Sequence, residues 1–349
     1  MKRLILLGTG GTIAGASAHA ADVDGYTPAA LTVEQLLASV PHGQALQPIE
    51  TEQLFQIGSE DMTPAHWCTL AQRTQALLER DDVAAVVITH GTDTLEETAW
   101  FLQLVLRSAK PVVLVGAMRP ATAPDADGPR NLADALLLVR SPEAQYRGVL
   151  VVMGGTIFSA HDVTKRFAGR IDAFTAGAAQ PLGRIENHHL EFFALAPLHL
   201  EEPLPLADTL PAVEIVYGYA SDSRVAVDAL VQAGVQGIVY AAPGSGTLSV
   251  TMRAALCDAV ARGVSVVRAS RTGAGRVRAH THEADDARLF ISANSLNPQK
   301  ARILLMLALA AERDRGNAPR GQEVAYPTHL TTHLTMDVTR IQQLFDRLG

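Results

Sequence analysis

Apolar residues in this chain follow two rhythms. Short unbroken runs of Val, Ile and Leu alternate with longer stretches in which apolar positions recur at helical spacing. The runs at 4–7, 82–89, 111–115 and 148–153 predict strands. The periodic stretches 31–40, 64–78, 94–108 and 129–141 predict helices, with Thr63 as an N-cap ahead of Pro64 at the first helical position. Strands apolar on both faces, alternating with helices, predict a parallel sheet covered on both sides. Such sheets gather ligands at the loops beyond the C-terminal ends of their strands.

The alternation breaks over 187–211, where Pro197, Pro203, Pro205 and Pro211 interrupt a run of His and Glu. A second α/β pattern then resumes, with strands at 213–217, 237–241 and 265–269 and helices at 223–233, 247–262 and 297–313. Residues 316–327 read as an irregular insertion before a last helix at 338–348. The expected organisation is an N-terminal α/β domain over 1–190, a linker over 191–211 and a C-terminal α/β domain over 212–349.

Composition removes several classes. Hydrophobic residues make up 48% of the chain and charged residues 19%, enough apolar surface to offset the ordering entropy of a packed core. The net charge of -7, without basic runs, argues against a nucleic-acid binder. Cys68 and Cys257 are far apart and neither lies in a CxxC pair, so a disulfide framework and a zinc ribbon are excluded. The longest apolar run, 303–311, is far short of the ~20 residues a membrane helix needs. The first twenty residues imitate a signal peptide, but Gly8 to Thr12 cut the apolar stretch short of the ~7–15 residues such a segment requires. The expected compartment is the cytoplasm.

Three loops carry chemistry. Gly8-Thr9-Gly10-Gly11-Thr12-Ile13-Ala14-Gly15 follows the first strand. Ile13 stands where a dinucleotide fingerprint needs glycine, and no Walker ending follows. Glycines here let the backbone approach a small molecule and leave Thr9 and Thr12 hydroxyls at the strand end. Thr89-His90-Gly91-Thr92-Asp93-Thr94-Leu95-Glu96-Glu97 also joins a strand to a helix. Taken alone it reads as N-capping by Thr92, Asp93 or Thr94, or as a site for an anion at the helix N-terminus. His161-Asp162-Val163-Thr164-Lys165-Arg166 supplies a lysine, either a surface residue or, in a partly desolvated site, a base. Together the loops suggest a threonine-nucleophile hydrolase, since a threonine hydroxyl needs a neighbouring base or relay to react. The GxSxG elbow of α/β-hydrolases is missing.

These pieces resemble the bacterial L-asparaginase family of the asparaginase/glutaminase type. The resemblance rests on Thr9-Gly10-Gly11-Thr12-Ile13-Ala14-Gly15, Gly58-Ser59-Glu60-Asp61-Met62, Ile88-Thr89-His90-Gly91-Thr92-Asp93-Thr94, Gly116-Ala117-Met118-Arg119-Pro120, Asp162-Val163-Thr164-Lys165 and Asn297-Pro298-Gln299-Lys300-Ala301-Arg302. It implies a two-domain fold, with a larger N-terminal flavodoxin-like parallel-sheet domain and a smaller C-terminal α/β domain. It implies that Thr12 is the nucleophile, Tyr26 the lid tyrosine bonded to it, and 14–24 a flap. Thr92, Asp93 and Lys165 match the second catalytic group. Ser59 and Glu60 match positions that hold the α-carboxylate and α-ammonium, with Asp93 also pairing the ammonium. Ala117 matches a carbonyl facing the substrate amide. Thr247 and Glu283 match positions donated by a neighbouring subunit, which implies a homotetramer built as a dimer of dimers.

The implied reaction is L-asparagine plus water to L-aspartate and ammonia, with no cofactor and no metal. Glu60 and Thr247 stand where relatives with strong glutaminase activity often carry amides, so asparagine is the expected preference and glutamine the weaker substrate. A broad glutaminase-asparaginase is the alternative. Another is a non-catalytic amino-acid or dinucleotide-binding module, against which the set Thr12, Thr92, Asp93 and Lys165 speaks. The related transfer-RNA amidotransferase subunit carries an added N-terminal domain for which residues before Gly8 leave no room. His329 and His333 share helical spacing but have no acidic or Cys partner at metal spacing, and read as surface histidines.

Overall fold

A computed structural model describes residues 2–17, 25–40, 48–193, 202–279, 289–317 and 331–349, with the side chains of 315–317 and 331–337 outside that description. The chain divides into two compact units, Met1–Pro203 and Leu204–Gly349.

The first unit alternates β1 (Arg3–Gly10), α1 (Val33–Ser39), β2 (Ile49–Ile57), α2 (Pro64–Glu79), β3 (Val83–Thr89), α3 (Leu95–Val105), β4 (Val112–Val115), α4 (Gly128–Leu138) and β5 (Val149–Met153), each as the sequence predicts except β2, for which the pattern gave no strand. These five strands run parallel in the order β2-β1-β3-β4-β5, the flavodoxin-like arrangement. Leu4, Leu6, Val87, Val113, Leu132 and Leu136 form a core on the face covered by α1 and α4. By the pleat, Val86 and Ile88 point to the opposite face, where α2 packs on β3. The Trp67 and Phe101 rings of α2 and α3 stack with centroids 5.5 Å apart.

The sheet is not parallel throughout, as expected from the sequence, but mixed. After Met153 the chain reverses through Gly154 and Gly155, both at positive φ (58° and 72°), so that Met153 pairs with Thr156. Two left-handed residues make the tight turn whose twist suits an antiparallel hairpin. The pair, which carried no expected role, thus redirects the sheet into β6 (Thr156–Ser159). A short two-stranded piece follows, β7 (Thr164–Lys165) against β8 (Phe174–Thr175). Then β9 (Gly183–Glu186) extends the main sheet antiparallel to β6, and β10 (His189–Phe192) pairs antiparallel with β9 at its edge. Asn187 and His188, at φ 50° and 63°, make the second such turn. The beginning of the proline-rich break is therefore a hairpin.

The second unit holds a four-stranded parallel sheet: β11 (Val213–Tyr217), α5 (Val225–Gln232), β12 (Gly237–Ala242), α6 (Val250–Ala261), β13 (Ser265–Ser270), β14 (Phe290–Ser292), α7 (Pro298–Asn317) and α8 (Thr331–Leu348). Val227, Ile238, Tyr240, Met252 and Leu256 form its core beside α5 and α6. α7 packs against β11, β12 and β13 and buries Ile303 to Leu307, as the apolar run predicts. The helix continues through 316–317, which were expected to begin an insertion, and 318–327 lie outside the described residues. The last helix begins at Thr331, earlier than its pattern suggested. No described helix is long and apolar enough to cross a membrane.

Candidate active site

Three loops at the C-terminal ends of β1, β2 and β3 meet backbone to backbone. A Cβ on Gly11 (φ +79°) would fall 2.2 Å from the Cα of Gly91, and one on Gly91 would fall 2.7 Å from Ser59 Oγ. Only glycine permits that approach, and at Gly11 only glycine suits the left-handed backbone. The contact brings together the loops that carry Thr12, Ser59 and Thr92. Thr12 opens a 3-10 turn after β1, and its Oγ1 shares a hydrogen bond of 2.7 Å with the Tyr26 hydroxyl. Tyr26 lies over Gly15, where a Cβ would strike its ring at 2.6 Å. Beside it, Ala16 and Thr27 exchange backbone hydrogen bonds of 3.0 and 2.8 Å. The Ala121 amide donates to the Gly15 carbonyl (2.8 Å) and the Ser17 amide to Thr122 Oγ1 (2.9 Å), so the loop after β4 holds the base of this segment.

The second threonine group is built around Lys165. Its Nζ donates to Thr92 Oγ1 at 2.9 Å and to Asp93 Oδ1 at 2.5 Å. The lysine side chain is 16% exposed and that of Asp93 62%, so the ammonium is shielded while the carboxylate sits at the rim. β7 delivers Lys165, pairing with β8 through the register Lys165 to Phe174. Ser59 is buried, accepts from the Asp93 amide at 3.1 Å, and through its own carbonyl receives the Thr94 hydroxyl at 2.7 Å. Thr94 is the N-cap of α3, yet it makes no side-chain cap. The capping reading of this run is therefore corrected. Thr92 and Asp93 turn to Lys165, Thr94 turns to Ser59, and none satisfies the helix. His90 is fully buried, and burial pushes its imidazole down to about 4. It is neutral at physiological pH and donates from Nδ1 to the Gly91 carbonyl at 2.7 Å.

Ala117 is buried in the loop after β4. A Cβ on neighbouring Gly116 would lie 2.9 Å from Thr92 Cγ2, so this loop rests on the second threonine. Asp127 and Asn131 underpin it. The Asp127 carboxylate accepts from the Met118 amide (3.1 and 3.0 Å) and the Arg119 amide (2.9 Å). Asn131 Nδ2 donates to the Gly116 carbonyl at 3.1 Å and to Asp127 at 3.0 Å. Sequence reasoning missed both, because an Asp before Gly-Pro at a helix start reads as an N-cap. Asp127 occupies that position without capping.

Glu60 is exposed, on the turn Ser59–Asp61, with its carboxylate folded back against Gly58. Thr247 belongs to the second unit, exposed in the turn before α6. Glu283, His329 and the His333 side chain fall outside the described residues. Among the described residues, no group of three His, Cys, Asp or Glu could hold a metal ion.

Comparison with known proteins places the whole chain beside one group of relatives. The chain matches the family description "Asparaginase, N-terminal" over residues 3–197 and "Glutaminase/Asparaginase C-terminal domain" over 212–319. It is 42% identical over 317 residues to L-asparaginase 2 of Bacillus subtilis, covering 90% of this chain and 84% of that one. It is 41% identical over 319 residues to the glutaminase-asparaginase of Pseudomonas fluorescens, covering 90% and 88%. The crystal structure of a probable cytoplasmic L-asparaginase from Campylobacter jejuni superposes with a TM-score of 0.86 at 39% identity, covering 99% of this chain and all of that one.

Proposed function

The chain belongs to the asparaginase family, and on that premise we propose that it hydrolyses the side-chain amide of L-asparagine to L-aspartate and ammonia. The observation that carries the reading is the pairing of two threonines, each with its own proton partner, on loops in backbone contact: Thr12 with Tyr26, and Thr92 with Lys165 and Asp93. A cofactor has no part in this scheme.

In the proposed reaction Thr12 Oγ1 attacks the amide carbon. Its proton passes through the neighbouring hydroxyls to the departing nitrogen, which leaves as ammonia. Water then attacks the acyl-threonine, the ester bond breaks, and a proton from that water restores the Thr12 hydroxyl. Lys165 stabilises charge on Thr92 and takes part in the proton relay. Backbone N–H groups near Thr12 and Thr92 face the oxyanion of each tetrahedral intermediate. Ser59 and Glu60 hold the α-carboxylate and α-ammonium, and Asp93, at the rim, pairs with the ammonium.

A relative named glutaminase-asparaginase at nearly the same identity supports weaker activity on L-glutamine. One methylene changes binding by about 1–3 kcal/mol, so the preference for asparagine is a matter of degree. We further propose a cytoplasmic homotetramer in which Thr247 and Glu283 reach a neighbouring subunit's site. Ammonia release from L-asparagine and L-glutamine, by the wild type and by Thr12→Ala, tests the central reading. Thr12→Ala is expected to lower kcat on asparagine by about a thousandfold or more. No release from either amide by folded wild-type protein overturns the reading.

A further inference from the structure

The loop that carries Ala117 is held by side chains at the start of α4, Asp127 and Asn131. Asp127 is nearly closed off from solvent and Asn131 is 1% exposed. The carboxylate receives both backbone amides that follow Ala117, while Asn131 grips the carbonyl that precedes it. Asn131 Oδ1 also accepts from the Gly154 amide at 3.1 Å, which ties the loop to the turn after β5. The Gly116 amide points the other way, to Met153 Sδ at 3.3 Å. A Cβ on Gly128, in the first turn of α4, would sit 3.5 Å from Ala117 Cβ and 3.1 Å from Ile13 Cγ1. Ala117 is thus gripped before, behind and below, and its carbonyl has little freedom to turn.

We propose that Asp127, with Asn131, is a positioning residue that aims the Ala117 carbonyl at the nitrogen of the scissile amide and so makes the site prefer an amide to an ester. The inference rests on the asparagine-hydrolase reading given above. An amide nitrogen carries N–H groups for that carbonyl, and they become stronger donors as the nitrogen gains a proton on its way to ammonia. The bond therefore strengthens in the transition state and acts on kcat. An ester oxygen offers no donor, so its hydrolysis draws nothing from the aim of the carbonyl. Asp127 is suited to the task because a buried carboxylate accepting backbone amides makes charge-assisted bonds. An amide in its place keeps the shape but turns one acceptor into a donor facing another N–H.

The test compares L-asparagine with the β-methyl ester of L-aspartate, for the wild type and Asp127→Asn. The expected result is a fall of about 10- to 100-fold in kcat on asparagine, little change in KM, and a fall of about threefold or less on the ester. An equal fall on both substrates, or no fall on either, overturns the assignment. Wild-type protein inactive on both substrates overturns the hydrolase reading itself, whereas an active wild type with an unmoved amide-to-ester ratio overturns only the role of Asp127. Circular dichroism and thermal melting establish that the variant is folded. Should Asp127→Asn not fold, Asn131→Ser leaves the carboxylate's two amide bonds and frees the Gly116 carbonyl. It must then shift the ratio in the same direction.

Discussion

Asp134 lies on α4 one turn beyond Asn131, with its side chain 8% exposed. Burial pushes its carboxyl up to about 6, against the weaker pull of Arg130, whose Nε is 4.0 Å away, and of His188. The folded state thus binds this proton more tightly than the unfolded chain. Its contribution is fully present below the ordinary carboxylate range and is lost as pH rises toward 6. Asp134→Asn is expected to leave thermal stability unchanged at pH 4 and to raise it at pH 8 by about 1–3 kcal/mol. Melting curves at the two pH values check this, and a variant less stable than the wild type at pH 8 refutes it. At this scale the sequence was legible where a residue stands in a short motif. Thr12 shares a hydrogen bond with Tyr26, and Thr92 accepts one from Lys165. Asp127 and Asn131 were invisible because their work is to hold another segment's backbone, and nothing in their own neighbourhood says which segment.

The helix starts divide into two kinds. α1, α2 and α6 carry side-chain caps from Thr32, Thr63 and Ser249. α3 and α4, at the ends of β3 and β4, begin with Thr94 and Asp127, which spend their side chains on neighbouring loops. Capping rules therefore succeeded at α2 and failed beside the site, where tertiary contacts compete for the same atoms. At α2 the cap is reciprocal, with Thr63 Oγ1 accepting from the His66 amide and His66 Nδ1 accepting from the Thr63 amide, each at 3.2 Å. Thr63→Ala is expected to destabilise the protein by about 1 kcal/mol without altering kcat, as urea unfolding and a steady-state assay read in parallel will show. Among strands, the buried runs of β3, β4 and β5 announced themselves. β2 did not, because it is a half-exposed edge whose stretch Glu50-Thr51-Glu52-Gln53 is polar throughout, with Glu50 and Glu52 pairing with Arg80 and Arg73 at 3.0 and 2.7 Å. The β9–β10 hairpin escaped for a related reason: its turn is Asn187-His188, without the glycine that marks such turns.

At the scale of the whole molecule, the two α/β patterns on either side of the proline-rich break correspond to two compact units, while the mixed edge of the first sheet was not legible. Parallel strands reveal themselves by burial on both faces, whereas β9, toward the added edge, alternates buried and exposed positions over only four residues. Assembly is a property that a single chain's pattern does not encode. A homotetramer of this 37.1 kDa chain is expected to sediment at four times that mass. Analytical ultracentrifugation across a dilution series checks it, and a monomer retaining full activity refutes the need for a neighbour's Thr247 and Glu283.

The strand order has a consequence for how the protein is made. Thr12 leaves the ribosome near the start of synthesis, but Lys165 follows it by 153 residues. At about 5–20 residues per second the interval is roughly 8–30 s. Thr92 precedes Lys165 by 73 residues, roughly 4–15 s at the same rate, and over that stretch it lacks the Nζ that donates to it. The growing chain thus holds both threonines before it holds the lysine that pairs with the second. On the proposed mechanism, a product that ends before β7 lacks the lysine of the second threonine group and is expected to hydrolyse asparagine poorly.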